Sequence, residues 1–153
     1  TAEWHDEATP HLIANLNNQD IEIRRKSVKA LGFFGHLILP KIVNKFLSTD
    51  DRIIRTSCLK VFVKVAIHNR GTLFPDTVMI ALESALEDEA PEIILTLVSL
   101  LRQLGPQGIP MLVKICRDKD ILRSSSAIMA LSEIQGPYAE KCINQLASEG
   151  FDI

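Results

Sequence analysis

Ten Lys and Arg residues stand against only four Asp and Glu in residues 20–64, within a 153-residue chain of formal net charge −2. Arg25 and Lys29 lie four apart in this block, and Lys60, Lys64 and His68 continue at four-residue steps. On a helix that spacing lines cations along one side, here the side opposite the apolar stripe. Arg25, Lys29, Lys60 and Lys64 are therefore the candidate binding residues. They read either as solvated helix faces, as most charge runs are, or as a positive patch for an acidic partner. The matching positions further on, Thr96, Ser99 and Gln103, are uncharged.

Other chemistry is thin. His5, His11, His36 and His68 have no metal-ligand spacing with one another or with the cysteines, so no metal is expected. Cys58, Cys116 and Cys142 are odd in number and far apart, which argues against a disulfide framework and for small buried side chains in a reducing compartment. Ser124, Ser125 and Ser126 read as small residues that let helices approach, not as nucleophiles, because no base is paired with them. The acids Glu87, Asp88 and Glu89 fall at an inferred helix start, where they complement the macrodipole. No enzyme activity and no cofactor follow from this set. The isoelectric point near 6.1 disfavours a duplex nucleic-acid binder. Trp4 and Tyr138 are the only large polar aromatics, so a base-stacking platform is not evident.

These residues must be positioned by helices. Apolar residues recur at three- and four-residue spacing, and four segments share one template: 23–32, 54–62, 93–101 and 123–131. Each follows a second amphipathic stretch and a polar turn. Asp20, Asp50 or Asp51, Asp88 and Asp120 sit where N-caps belong. Prolines 10, 40, 75, 106, 110 and 137 fall near the starts of first helices. Gly35, Gly105 and Gly136 sit where second helices end. The pattern predicts one all-α domain over residues 1–153, with repeats at about 9–37, 38–74, 75–105 and 106–136. A terminal helix over 137–149 reads as a cap or as the start of a fifth unit, which leaves a longer array open. A loop insertion of roughly eight residues is expected at 68–75. A two-helix unit of this size cannot bury its own apolar face, so neighbours must stack.

Asp20, Ile23-Arg24, Ser27 and Ala30-Leu31-Gly32 form a turn acid, an apolar-Arg pair, a small residue and a closing Ala-Leu-Gly. Asp50, Ile54-Arg55, Cys58 and Phe62 follow the same order. In this the chain resembles the HEAT-repeat family, in the short form found in phycobilisome-lyase-like proteins. The resemblance covers roughly residues 9–149. It departs at Ile94, which replaces the Arg, and at Arg123, which stands one position early.

The resemblance implies a right-handed α-α superhelix of about four helical hairpins, with second helices lining a concave face. It also makes Asp20, Arg24, Asp50 and Arg55 a structural ladder, in which each Arg reaches a turn carboxylate of its own or an adjacent repeat. Phe33, Val63 and Ile67 flank the basic positions and are expected to pack on the neighbouring repeat or, if exposed, to form an interface patch mixed with positive charge. The leading expectation is a non-catalytic protein–protein scaffold that takes an acidic protein on the first two repeats. The alternative, implied by the resemblance alone, is a lyase-like or chaperone-like protein handling a bilin. That role would need a cavity with Arg or Lys for propionates. With no membrane-length apolar run and no signal-peptide pattern, the expected location is cytoplasmic.

Overall fold

The computed structural model describes residues 2–153, with side chains from Asp6 onward. The side chains of Trp4 and His5 lie outside the described residues. The described residues form α-helices joined by short 3₁₀ turns, with no β-strand among them. In chain order the helices are α1 (Ala2–Ala14), α2 (Ile21–Phe33), α3 (Leu39–Leu47), α4 (Arg52–His68) and α5 (Asp76–Glu83). They continue as α6 (Pro91–Leu104), α7 (Ile109–Cys116), α8 (Ile121–Glu133) and α9 (Pro137–Ser148). No single described helix is long and apolar enough to cross a membrane.

Helix α2 packs on α4, α4 on α6 and α6 on α8, while α1, α3 and α7 each pack on the helix that follows them. The apolar stripes meet in one continuous core from Leu16 to Leu146. Phe46, Phe62 and Phe74 meet edge to face in its centre, at 6.4 and 6.3 Å between ring centroids. Cys58 and Cys116 are buried in it.

Capping sets the helix starts. Asp20 accepts from the Glu22 amide at 2.9 Å, and Asp120 from the Arg123 amide at 3.0 Å. Between the two adjacent acids, Asp51 is the cap, accepting from Ile53 and Ile54 at 2.8 and 3.0 Å, while Asp50 is exposed. Asp88 is not a cap. Helix α6 begins at Pro91 after Ala90, without a side-chain cap, because Pro at the first position supplies the helical φ by itself. Pro10 also departs from the expected pattern, since α1 runs through it. Gly108 is required by close approach: a Cβ there would stand 2.1 Å from the Leu101 carbonyl oxygen.

The expected insertion is the stretch 69–75 after α4. Phe74 is 2% exposed and anchors this stretch in the core. The Gln107 amide clasps the Phe74 backbone from both sides, accepting from its N–H at 2.9 Å and donating to its carbonyl at 2.7 Å.

Candidate functional site

The motif arginines act on turns. Arg24 donates to the Asn18 carbonyl at 2.6 Å, within its own repeat. Arg55 reaches further. Its guanidinium donates to the Phe46 carbonyl at 2.8 Å and to Asp88 from Nε and Nη2 at 3.2 and 2.7 Å. It also lies 4.1 Å from the centre of the Phe46 ring. On the far side of the same turn, Arg123 donates to the carbonyls of Leu86 and Asp88. The turn of the repeat that lacks an Arg is thus gripped by the arginines of both neighbours.

The four candidate binding residues come together. Arg25 and Lys29 on α2, with Lys60 and Lys64 on α4, line one groove of about 740 Å³. Helix α6 supplies the opposite wall through Glu92, Leu95, Thr96 and Ser99, and Val28 and Val63 give the groove apolar surface. This volume lies in the usual range of small-molecule sites, with apolar lining and a few convergent polar groups.

Four cations elsewhere meet a carboxylate about one repeat away in sequence. Arg55 meets Asp88, Arg102 meets Glu133, Lys114 meets Glu83 and Arg117 meets Glu149. In the groove, Arg25 has a loose, exposed contact to Glu22 at 3.4 Å. Lys29, Lys60 and Lys64 have no ion pair among the described residues, and Glu92, the acid of the groove, leans toward Arg52 at 3.8 Å.

Phe33 departs from the expectation of packing on the next repeat. It is 64% exposed, and its ring stacks on His68 with centroids 5.0 Å apart and planes 22° from parallel. Val63 and Ile67 are half-buried. Sequence reasoning passed over this pair, although Phe33 follows Lys29, and His68 follows Lys64, by one helical turn. The stack lies beside the point where α2 and α4 nearly touch: a Cβ on Gly32 would stand 2.4 Å from the Lys64 Cβ.

Two of the three thiols are buried and held back from reaction, while Cys142 is partly exposed. Burial pushes Cys58 up to about 12, although Lys45 and Arg55 oppose the shift. Burial likewise pushes Cys116 up to about 11, with Arg117 opposing. The serine run is occupied with backbone: Ser124 donates to the Cys116 carbonyl at 2.6 Å and Ser126 to the Leu122 carbonyl at 2.6 Å. The described residues contain no group of His, Cys, Asp and Glu placed to hold a metal.

The groove brings together cations and apolar surface. The bilin biosynthesis protein CpeZ of Synechococcus sp. (strain WH8020) is 33% identical over 149 residues, which cover 94% of this chain and 80% of that protein. The chain belongs to the CpeZ family. A second relative, the uncharacterized phycocyanin operon protein Z of Pseudanabaena tenuis (strain PCC 7409), is 27% identical over 145 residues. The match covers 94% of this chain and 64% of that protein, a little under two thirds of its length. No family model matches the chain. Membership of the CpeZ family corrects the leading expectation from sequence. A plain protein–protein scaffold gives way to the alternative, because the curated relative is named for bilin biosynthesis. The helical pattern carries no information on function.

Proposed function

We propose that this protein handles a bilin, holding the open-chain tetrapyrrole in the groove between α2, α4 and α6. The observation that carries the proposal is that Lys29, Lys60 and Lys64, without an ion pair among the described residues, all line that groove. A bilin presents two propionate carboxylates on a long conjugated body. The carboxylates match the lysines and Arg25, and the body matches Val28, Val63 and Leu95. Similarity to a bilin biosynthesis protein supports the same reading.

The role is to bind and present the chromophore, not to bond it through this chain's own Cys58 or Cys116. A thiol nucleophile acts as its thiolate, and burial holds both of these protonated. A protein partner fits as the recipient of the presented bilin. The helical hairpins themselves we read as a short right-handed HEAT-like superhelix whose second helices, α2, α4, α6 and α8, carry the binding face. Their consecutive packing supports this.

The test is absorbance. Biliverdin added to the purified chain should show a shifted and sharpened visible band, and Lys60→Glu with Lys64→Glu should weaken binding at least ten-fold without lowering Tm. A spectrum identical to that of free biliverdin would overturn the proposal.

A further inference from the structure

One feature lies just beyond the lysines of the groove, outside its lining residues. Helices α2 and α4 converge at Gly32 and Lys64, and one turn past the lysines the rings of Phe33 and His68 stack across the two helices. Phe33 is 64% exposed, so this ring pair is not part of the core. It stands at the surface, with both residues exposed. Exposing a Phe ring to water is unfavourable, and a stacked partner recovers only the covered side.

Resting on the bilin reading, we infer that the Phe33–His68 stack is a second subsite, which receives a terminal pyrrole ring of the bound bilin. The order of groups on the two helices matches the order of groups on the ligand. Along α2 the sequence runs Arg25, Lys29, Phe33, and along α4 it runs Lys60, Lys64, His68. Each step is one turn, about 6 Å of rise. A bilin carries its propionates on the two inner pyrroles and has one further ring at each end. Carboxylates seated on Lys29 and Lys64 therefore leave a terminal ring directed one turn on, over Phe33 and His68. Offset stacking of planar rings at this separation is favourable beyond simple area burial. The subsite would set which way round the chromophore lies and hold its end ring flat, whereas the lysines supply attraction without direction.

The experiment compares the parent chain with Phe33→Ala and Phe33→Tyr by biliverdin titration, following absorbance and induced visible circular dichroism. The exposed position makes both variants expected to fold, which their far-ultraviolet spectra and Tm values check. Phe33→Ala should bind roughly three- to ten-fold more weakly and lose most of the induced dichroism, whereas Phe33→Tyr keeps both. Parent-like affinity and dichroism in Phe33→Ala would overturn the subsite while leaving the bilin reading intact. A loss shared equally by Phe33→Tyr would also overturn it, because the aromatic face is then not what matters. Failure of the parent chain to bind biliverdin removes the subsite together with the reading it rests on.

Discussion

Replacing Arg55 with Ala strikes the most enclosed charge in the molecule's turn network. Arg55 is 8% exposed. Its truncation strands the Phe46 carbonyl, which it meets at 2.8 Å, and an unsatisfied buried acceptor costs about 1–3 kcal/mol. It also leaves Asp88 without its cation. Removing one member of a fully buried pair costs about 3–5 kcal/mol, but the Asp88 side chain keeps 20% of its exposure, so water recovers part of that charge. The contact with the Phe46 ring is lost as well. Together these give a loss of about 3 kcal/mol, which lowers Tm by roughly 6–12 °C in a chain of this length. Asp88→Asn keeps the volume and an acceptor, so it should cost about 1 kcal/mol. Urea unfolding followed by far-ultraviolet circular dichroism measures all three chains. A double-mutant cycle should return a coupling of about 1–2 kcal/mol. If Arg55→Ala unfolds within about 1 kcal/mol of the parent, the guanidinium is not holding the turn and the reasoning is wrong. Bilin binding well below Tm should be unchanged, since Arg55 does not line the groove.

Lys60→Gln should raise the Tm of the ligand-free protein by about 1 °C by scanning calorimetry, because like charges four apart on a helix cost about 0.2–0.5 kcal/mol. A lower Tm would mean that Lys60 has a stabilising partner. Gly108→Ala should lose about 2–3 kcal/mol of stability, since its Cβ would meet the Leu101 carbonyl oxygen at 2.1 Å and the backbone must shift; an unchanged urea midpoint refutes this. Cys58 is pushed up from 9.0 to about 12 and Cys116 to about 11, so the native state keeps protons that the unfolded chain releases. Their contribution to stability is then full below pH about 9 and is lost as pH rises toward 11–12. Urea midpoints should fall over that window, and Cys58→Ala should flatten the decline.

The helices were legible because each is announced locally. Apolar spacing, the caps Asp20 and Asp120, and prolines at first turns act over a few residues, and one sequence contains all of them. The basic groove was legible for a related reason: Arg25, Lys29, Lys60 and Lys64 share a helical side by spacing alone. What failed was long-range. Asp88 sits at a cap position by local pattern, yet Arg55, 33 residues earlier, draws its carboxylate, and Pro91 relieves α6 of needing a cap. Arg123 looked out of register, yet its longer reach lets it hold the turn of the preceding repeat. Phe33 looked like a core residue because it is apolar. Its exposure depends on where α2 ends and on the ring of His68, neither of which periodicity records. Composition does not separate an acidic protein from a bilin, since carboxylates on either ask the same thing of a lysine.

The placement of the free cations is better explained by binding than by stability. In a stack of similar hairpins, a side chain on one unit faces the equivalent side chain on the next, so an opposite charge about one repeat away neutralises it. Arg102 with Glu133 and Arg117 with Glu149 follow that rule at 31 and 32 residues. Lys29 breaks it, because 31 residues on from Lys29 is Lys60, and Lys64 adds a third cation to the same groove. Juxtaposed like charges oppose folding, and a single Glu at residue 60 would remove the conflict at no cost in packing, since that side chain is exposed. An arrangement that works against the isolated protein becomes favourable once an anion fills the groove. On the proposed reading, two carboxylates on one ligand would meet that requirement, with Glu92 drawn toward Arg52. The wall on α6 is uncharged at Leu95, Thr96 and Ser99, which on the proposed reading would give the conjugated body of a bilin an apolar and hydroxyl surface opposite the cations.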